Sequence, residues 1–433
     1  MSRQQLIAGI DVGSSNVTTL IVSVTPEDRR PKIIGVAVNP SRGIKKGQVV
    51  NIEEAMNSIV KSVEAAERMA GYSLSKALIS LSGPLLSSQN SKGIVAVAQP
   101  NEEITSLDVD RVVEAARAVS LPSTREIIHV IPRGFTVDGQ EGIKDPVGMS
   151  GVRLEVETHL VSGASTAIKN LTRCVTEVGA DIQDLVVSSL ASAQAVLTET
   201  EKELGVVLVD IGGGTTDVAI FVEGSPYYLS VIPVGANKVT DDLAIGTRLS
   251  LDSAEKLKIA LSKKEKKMTL PTEDERGRGK KKKDELDLRK IGILEGPKTV
   301  SKKTLIEGII RPRLNEIFTL VGGEIKQSRS QGLVPAGVVL TGGGALTAGV
   351  VESAKRILNL PVRIGRPERT TGLVEEVDSP EFATGVGLAF YGLKEGRQDS
   401  SSLNLGRLGK KFSGLPVIGV ADRVANLVKS FLP

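Results

Sequence analysis

The chain contains one strand-and-turn unit twice. Residues 7–13 read IAGIDVG and residues 206–212 read VVLVDIG. Each is an apolar run ending in Asp, one apolar residue and Gly. Each continues through small or hydroxyl residues into a second apolar run: Ser14-Ser15-Asn16 in the first copy, Gly213-Gly214-Thr215-Thr216 in the second. The two aspartates, Asp11 and Asp210, lie 199 positions apart in a chain of 433 residues. A repeat at that spacing predicts two similar halves, each presenting a tight hairpin to a shared cleft.

The hydrophobic spacing around the repeat alternates between strand and helix periods, the mark of an α/β sheet protein. Strands are expected over 6–12 and 17–24. A helix follows over 51–70, opened by an Asn51/Glu54 capping box and stopped by Gly71. A strand is expected over 76–82. Strands at 92–98, 126–137 and 151–161, with a helix opened by Thr105 and Asp108, outline a compact unit between Pro84 and Ser162. Its order is strand, helix, strand, strand. Beyond it come helices over 165–178 and 188–201, strands over 182–187 and 205–211, and two strands within 217–233. Helices over 236–262 and 303–330, a strand over 336–341 and helices over 346–358 and 381–393 complete the globular part.

Composition restricts the chemistry. Aromatic residues are 3% of the chain and Trp is absent, so the core must be aliphatic. Cys174 is the sole cysteine. It cannot form an intramolecular disulfide, and a reducing compartment and a buried, unreactive thiol are expected. The net charge is +4, but Lys263–Lys290 carries 12 basic and 7 acidic residues, which leaves the remainder near −1. That run has no aromatic residue to stack a base, so it reads as a solvated loop and no nucleic-acid partner is expected. His129 and His159 have no Cys or carboxylate at ligand spacing and read as structural. No signal-peptide region follows Met1, and no apolar run approaches the roughly 18–20 residues that span a bilayer.

The paired hairpins suit a nucleoside triphosphate. Glycines let backbone N–H groups approach phosphate oxygens, and Ser and Thr hydroxyls add donors. Carboxylates at Asp11 and Asp210 would repel phosphate unless a hydrated Mg²⁺ lay between. A third glycine loop, Gly342-Gly343-Gly344, follows a strand and would let a flat base and ribose lie on backbone. The last apolar stretch, Leu415–Pro433, is amphipathic. On a helical wheel Gly419, Asp422, Arg423, Asn426, Lys429 and Ser430 share an arc of roughly 120°. Ile418, Val424, Leu427, Val428, Phe431 and Leu432 lie on the other side. Docking on the protein's own core is one reading of such a helix; a polar linker of about 20 residues precedes it and favours the other, a helix that leaves the body and lies on an anionic membrane.

Two hairpins and a glycine loop in this order resemble the actin, Hsp70 and sugar-kinase superfamily. Within it the segments GIDVGSSNVTTLIV, SRGIKKGQVVNIEEA, HVIPRGFTVDGQEGIKDPVGMSGVRLEVETHLV, VVLVDIGGGTTDVAIF and VVLTGGGALTAGV are similar to the FtsA family of bacterial actin-like cell-division proteins. The likeness runs in order over most of residues 5–393. Residues 134–151 discriminate best, because Hsp70 and the sugar kinases have nothing similar there.

The resemblance implies an α/β, actin-like duplicated ATPase fold with an inserted small α+β domain and a C-terminal amphipathic helix. Its segments would be 1–83 and 163–200 for the first half, 84–162 for the insertion, and 201–235 for the second hairpin. Residues 236–335 would form a smaller subdomain, 336–394 the return to the first half, 395–414 a linker and 415–433 the membrane-targeting helix. It implies that Asp11, Gly13, Ser14, Ser15 and Asn16 form the first phosphate hairpin, and Asp210, Gly212, Gly213, Gly214, Thr215, Thr216 and Asp217 the second. Gly235 and Asn237 would face the nucleotide, Glu255 and Lys258 would contact ribose and base, and Gly342, Gly343 and Gly344 would support adenosine. Asp11 and Asp210 would reach magnesium through water. The implied partners are the C-terminal tail of the tubulin-like protein FtsZ, with Arg313 and Glu316 on its docking surface, further copies of the chain in a head-to-tail filament, membrane lipids through Arg423, Lys429 and the apolar face of the tail, and later division proteins. The implied place is the cytoplasmic side of the bacterial membrane at the division site.

Hydrolytic relatives in the wider superfamily carry Glu or Gln near the first turn of the interdomain helix. Here that turn reads Ser188-Ser189-Leu190-Ala191-Ser192, so ATP binding with at most slow hydrolysis is expected. A small-molecule kinase or a chaperone-like ATPase would share the fold. The first needs an identifiable catalytic Asp and substrate pocket, the second a substrate-binding domain after the nucleotide domain, and the amphipathic tail has no role in either.

Overall fold

The computed structural model describes residues 5–25, 30–97, 103–262 and 284–398. The basic residues 263–283, residues 399–414 of the expected linker 395–414 and the expected tail helix 415–433 lie outside them, while residues 395–398 continue the last helix instead of opening the linker. Residues 1–394 form one unit.

The first half opens with β1 (Gln5–Val12), which turns at Gly13 into β2 (Asn16–Val24) in an antiparallel pair, with Asp11 opposite Thr18. β3 (Lys32–Pro40), a strand that the hydrophobic spacing did not suggest, pairs with β2. A two-residue hairpin joins β4 (Ile44–Lys45) to β5 (Gln48–Val49) through Lys46 and Gly47, both at positive φ. That is the geometry of a tight primed turn, which suits the twist of paired strands. Asn51 caps α1 (Ile52–Ala70) through the Glu54 N–H, and Gly71, at φ 74°, ends it. β6 (Lys76–Leu81) then lies parallel to β1.

The insertion follows as β7 (Ser87–Ala96), α2 (Ser106–Arg117), β8 (Arg125–Val137), β9 (Gln140–Ile143) and β10 (Arg153–Ala164), in a sheet of order β7-β10-β8-β9. Thr105 and Asp108 make the expected capping box of α2. The helix lies so close over the sheet that a Cβ on Gly93 would strike the Val112 carbonyl.

The chain returns through α3 (Ser165–Thr176), which buries Cys174, and β11 (Asp181–Val187), which lies parallel to β6. A single helix over 188–201 is not formed. α4 (Ser188–Val196) stops at Leu197, and Thr198 with Glu201 builds a new capping box for α5 (Glu199–Leu204).

The second half repeats the first. β12 (Val206–Ile211) pairs antiparallel with β13 (Thr216–Val222), with Asp210 opposite Asp217. β14 (Ser225–Ile232) adds the next strand, and the small ribbon of β15 (Glu285–Asp287) and β16 (Thr299–Ser301) stands apart. β17 (Val338–Thr341) lies parallel to β12 just as β6 lies parallel to β1. β18 (Val362–Ile364) closes the order β14-β13-β12-β17-β18, and β19 (Thr371–Gly372) returns to β3 of the first sheet.

Three expected helices are modified in this half. Residues 236–262 divide into α6 (Asn237–Thr247) and α7 (Leu251–Ser262), because Arg248 takes the left-handed conformation at φ 57°. The helix expected over 303–330 begins as α8 (Lys302–Leu305), passes through a π-turn at Ile306–Ile310 and continues as α9 (Arg311–Gln327). Pro312 has no N–H to give the preceding turn, which favours the wider register. The helix expected over 346–358 starts only at Val350, as α10 (Val350–Leu358), after a 3₁₀ turn at Gly343–Leu346. α11 (Val374–Val377) and α12 (Ala383–Gln398) follow. The core is aliphatic: Phe318 is the one aromatic among the largest fully buried side chains, the rest being Ile and Leu.

Candidate nucleotide cleft

The two hairpins face each other across a cleft of about 480 Å³, within the range of small-molecule sites. The β1–β2 turn supplies Asp11, Gly13, Ser14, Ser15 and Asn16. The β12–β13 turn supplies Asp210, Gly212, Gly213, Gly214, Thr215 and Asp217. The hairpin tips touch. Ser15 Oγ donates to Asn237 Oδ1 at 3.1 Å, and a Cβ on Gly213 would collide with Ser15 Oγ. A Cβ on Gly214 would lie 2.6 Å from Ser14 Oγ. Glycine is required at both positions because the opposite hairpin occupies the side-chain space.

Gly342, Gly343 and Gly344 form the third wall at the end of β17, with Leu346 beside them. Gly342, at φ 79°, lies against Asp210, and a Cβ there would strike Oδ1. Asn237 opens α6. Glu255, Lys258 and Ile259 of α7 line the same wall. The Lys258 ammonium is buried, pairs with Glu255 at 2.7 Å and donates to Thr240 Oγ1 at 2.9 Å.

Two residues assigned by resemblance stand behind the cleft rather than in it. Thr216 is fully buried and its hydroxyl donates to the Val234 carbonyl. Gly235 packs on the hairpin, where a Cβ would lie 2.6 Å from the carbonyl oxygens of Gly212 and Gly213. Both shape the second hairpin from outside.

Three carboxylates cluster at the hairpin end of the cleft, Asp210 and Asp217 buried and Asp11 half-buried, and a serine donates to each. Ser80 Oγ reaches Asp11 Oδ1 at 2.7 Å, Ser192 Oγ reaches Asp210 Oδ2 at 2.5 Å, and Ser82 Oγ reaches both oxygens of Asp217 at 2.8 and 2.9 Å. None of these serines was found by sequence reasoning. A trace of Ser80 and Ser82 was there, as alternate hydroxyls at the carboxyl end of an apolar strand, where open α/β sheets bind ligands. Burial pushes the Asp11 carboxyl up to about 6, against the pull of Ser80. Burial also raises Asp210. Burial, then the charge of Asp210, push Asp217 up to about 8.

Among the described residues none of the three has an ion-pair partner, and no three His, Cys, Asp or Glu side chains are grouped to hold an ion directly. This set of hard oxygen donors fits a divalent cation that keeps its own water shell. Ser188, at the first turn of α4, lines the cleft. Gln194 is directed away, accepting from Lys394 Nζ at 2.6 Å. His129 and His159 are buried elsewhere. His129 Nε2 accepts the Val187 N–H, and His159 Nδ1 pairs with Asn90.

Arg313 lies on α9, outside the cleft. Its guanidinium forks onto Asp242 of α6 at 2.7 and 3.0 Å and also meets Glu316. On the same helix, Arg311 Nε and Asn315 Oδ1 are buried without a hydrogen-bond partner.

Two sheets of matching topology, each carrying a phosphate-type hairpin on a shared cleft, define an actin-like protein. Solved structures agree on the fold. The PilM–PilN type IV pilus biogenesis complex matches 89% of this chain and 98% of its own with TM-score 0.61 at 18% identity. MreB5 of Spiroplasma citri bound to ADP matches 92% of this chain and 99% of its own with TM-score 0.51 at 14% identity. The family model for cell division protein FtsA matches residues 207–387, and that for the SHS2 domain inserted in FtsA matches residues 83–162. Cell division protein FtsA of Pseudomonas aeruginosa is 40% identical over 401 residues, covering 93% of this chain and 92% of its own. The chain belongs to the FtsA family of actin-like cell-division proteins.

Proposed function

We propose that the chain binds ATP with Mg²⁺ in the cleft, polymerises head to tail, and anchors FtsZ to the inner face of the cytoplasmic membrane at the division site. The observation that carries the nucleotide part of this reading is the closure of two glycine hairpins over Asp11, Asp210 and Asp217, to which no described residue gives an ion-pair partner. A phosphate chain with a hydrated cation supplies the missing charge, and the relative bound to ADP shares the fold. Gly13–Asn16 and Gly212–Thr215 would hold phosphates, Asp11 and Asp210 the waters of the cation, and Glu255, Lys258 and Gly342–Gly344 the nucleoside. Bound magnesium would screen phosphate charge. With Ser188 at the first turn of α4 and Gln194 turned away, the cleft offers no group there to orient a water, which favours slow turnover.

ATP then acts as a ligand that favours the closed, assembling form. An open head-to-tail contact extends without limit, and each subunit brings one amphipathic tail. Arg313 and Glu316 on α9 would take the FtsZ tail, as the family resemblance implies. Later division proteins would meet the inserted domain and other surfaces.

Vesicle co-sedimentation of the full chain and of a truncation at Gly414, each with and without Mg·ATP, tests the reading. ATP-dependent pelleting that disappears on truncation is expected. Full-length chain that stays in the supernatant under every condition would refute the anchor.

A further inference from the structure

We infer that Ser82 is a cross-cleft latch: its hydroxyl, on the first half, holds Asp217 of the second and thereby sets how fast nucleotide leaves. This rests on the nucleotide reading above and adds to it a device that controls release.

Ser80 and Ser82 stand two positions apart at the end of β6, so they share a face. Ser80 serves its own half, through Asp11. Ser82 reaches the other half, donating to Asp217 Oδ1 at 2.8 Å and Oδ2 at 2.9 Å, with Thr215 Oγ1 at 3.4 Å. Asp217 is 4% exposed. A hydroxyl aimed at a buried carboxylate is a strong hydrogen bond, because water cannot replace it while the cleft is shut. The Ser15–Asn237 bond also joins the halves, but it is exposed and neutral.

A second element presses on the same place. The Lys46–Gly47 turn of the β4–β5 hairpin is wedged among both phosphate hairpins and Ser82. Gly47 N donates to Ser14 Oγ at 2.9 Å. A Cβ on Gly47 would lie 2.7 Å from the Ser82 carbonyl, and one on Gly214 would lie 3.1 Å from Lys46 N. Lys46 holds a left-handed φ of 50°, a conformation that a side chain disfavours and that the hairpin imposes. The turn fixes Ser82 from behind, so the hydroxyl is pre-aimed rather than recruited on closure. Opening the cleft must break the Ser82–Asp217 pair before nucleotide can leave. The pair holds the closed form, so its loss speeds dissociation.

The test uses full-length chain loaded with fluorescent mant-ATP and magnesium, chased with unlabelled ATP in a stopped-flow instrument. Ser82→Ala is expected to release nucleotide about fivefold faster or more, the size of one lost buried hydrogen bond. Ser82→Thr, which keeps the hydroxyl, should restore slow release. Ser82→Cys keeps the volume and weakens the donor, so it should behave as Ser82→Ala and covers the case in which the alanine variant fails to fold. In the Asp217→Asn background the Ser82→Ala effect should shrink, which a general loss of stability would not produce. Wild-type chain that binds no mant-ATP overturns the nucleotide reading itself. Wild-type chain that binds, with Ser82→Ala and Ser82→Cys releasing at the wild-type rate, overturns the latch alone.

Discussion

Ser192 Oγ donates to Asp210 Oδ2 at 2.5 Å, and Thr384 Oγ1 lies 3.0 Å from the same serine hydroxyl. α4 and α12, 192 residues apart in sequence, therefore meet on the aspartate of the second hairpin. The contact is fully enclosed: Ser192 has no exposed surface and Asp210 is buried. Ser192→Ala leaves that carboxylate with only a 3.4 Å contact to Thr384. The expected cost is about 2 kcal/mol, the usual size of a lost hydrogen bond to a buried charged group. Thermal denaturation of the nucleotide-free chain measures it, and an unchanged midpoint would refute it.

Gly213→Ala separates binding from stability. The added methyl strikes Ser15 Oγ on the opposite hairpin and crowds Asn237 Oδ1 at the rim of its own half, with no buried apolar side chain among its nearest neighbours. The cleft must open by a fraction of an ångström or more to admit it. Nucleotide affinity should fall at least about tenfold, with a change in unfolding free energy within about 0.5 kcal/mol. Titration with mant-ATP and a denaturant melt on the same sample give both quantities.

The pH dependence follows from Asp217. Its carboxyl is pushed up to about 8 in the fold, against about 4 in an unfolded chain. Between those values the folded form holds a proton that the unfolded form has released. Stability of the nucleotide-free chain therefore falls as pH rises from about 4 to about 8, and levels off above that. Asp11 and Asp210, also raised by burial, add slope of the same sign, so Asp217→Asn removes Asp217's share and flattens the profile most above about pH 6. Melting temperatures between about pH 6 and pH 9 test it; identical profiles for the two chains would contradict the assignment.

The extent to which this site was legible depends on range. The hairpins were readable because an Asp, one apolar residue and a Gly recur at the end of two apolar runs, and local turn chemistry makes that pattern. The insertion's α2 was readable from Thr105, Asp108 and the valine spacing that follows. Ser192 was not, since nothing in the short helix around it marks one hydroxyl as facing an aspartate 18 positions later. Thr216 and Gly235 carry the right residue types for contact, yet they serve the hairpin's backbone, a distinction that only packing makes. The breaks at Leu197 and Arg248 escaped because apolar spacing continues across them, while a capping box and a left-handed residue end each helix.

Arg313 is held before any partner arrives. Its fork onto Asp242 ties α9 to α6, with the guanidinium 24% exposed. Asp242→Asn should free the side chain and cost about 1 kcal/mol or less, the discount proper to a partly solvated pair. If Arg313 is the anchor for an acidic FtsZ tail, Arg313→Ala should weaken binding of a labelled tail peptide about tenfold or more. Asp242→Asn, which spares the charge but loosens its aim, should weaken it less. Fluorescence anisotropy with both variants reads the order, and equal affinities for all three chains would remove Arg313 from the docking surface.

The tail's chemistry and the polymer's should multiply. The amphipathic segment carries only two cations, Arg423 and Lys429, each contributing about 1 kcal/mol on an anionic surface. Its apolar face does more, since burying a Phe or Leu side chain contributes about 1.5–3 kcal/mol. Leu427→Asp or Phe431→Asp should then cut vesicle binding of the dispersed chain about tenfold or more, whereas raised salt should weaken it more gently. In a filament many tails act together, and the loss per tail compounds through effective concentration. Pelleting with Mg·ATP should therefore rise steeply with protein concentration in wild type and collapse in either variant, although each still polymerises in solution. Light scattering without vesicles and co-sedimentation with them distinguish the two steps. A variant that polymerises normally and still pellets as wild type would show that these side chains do not make the contact.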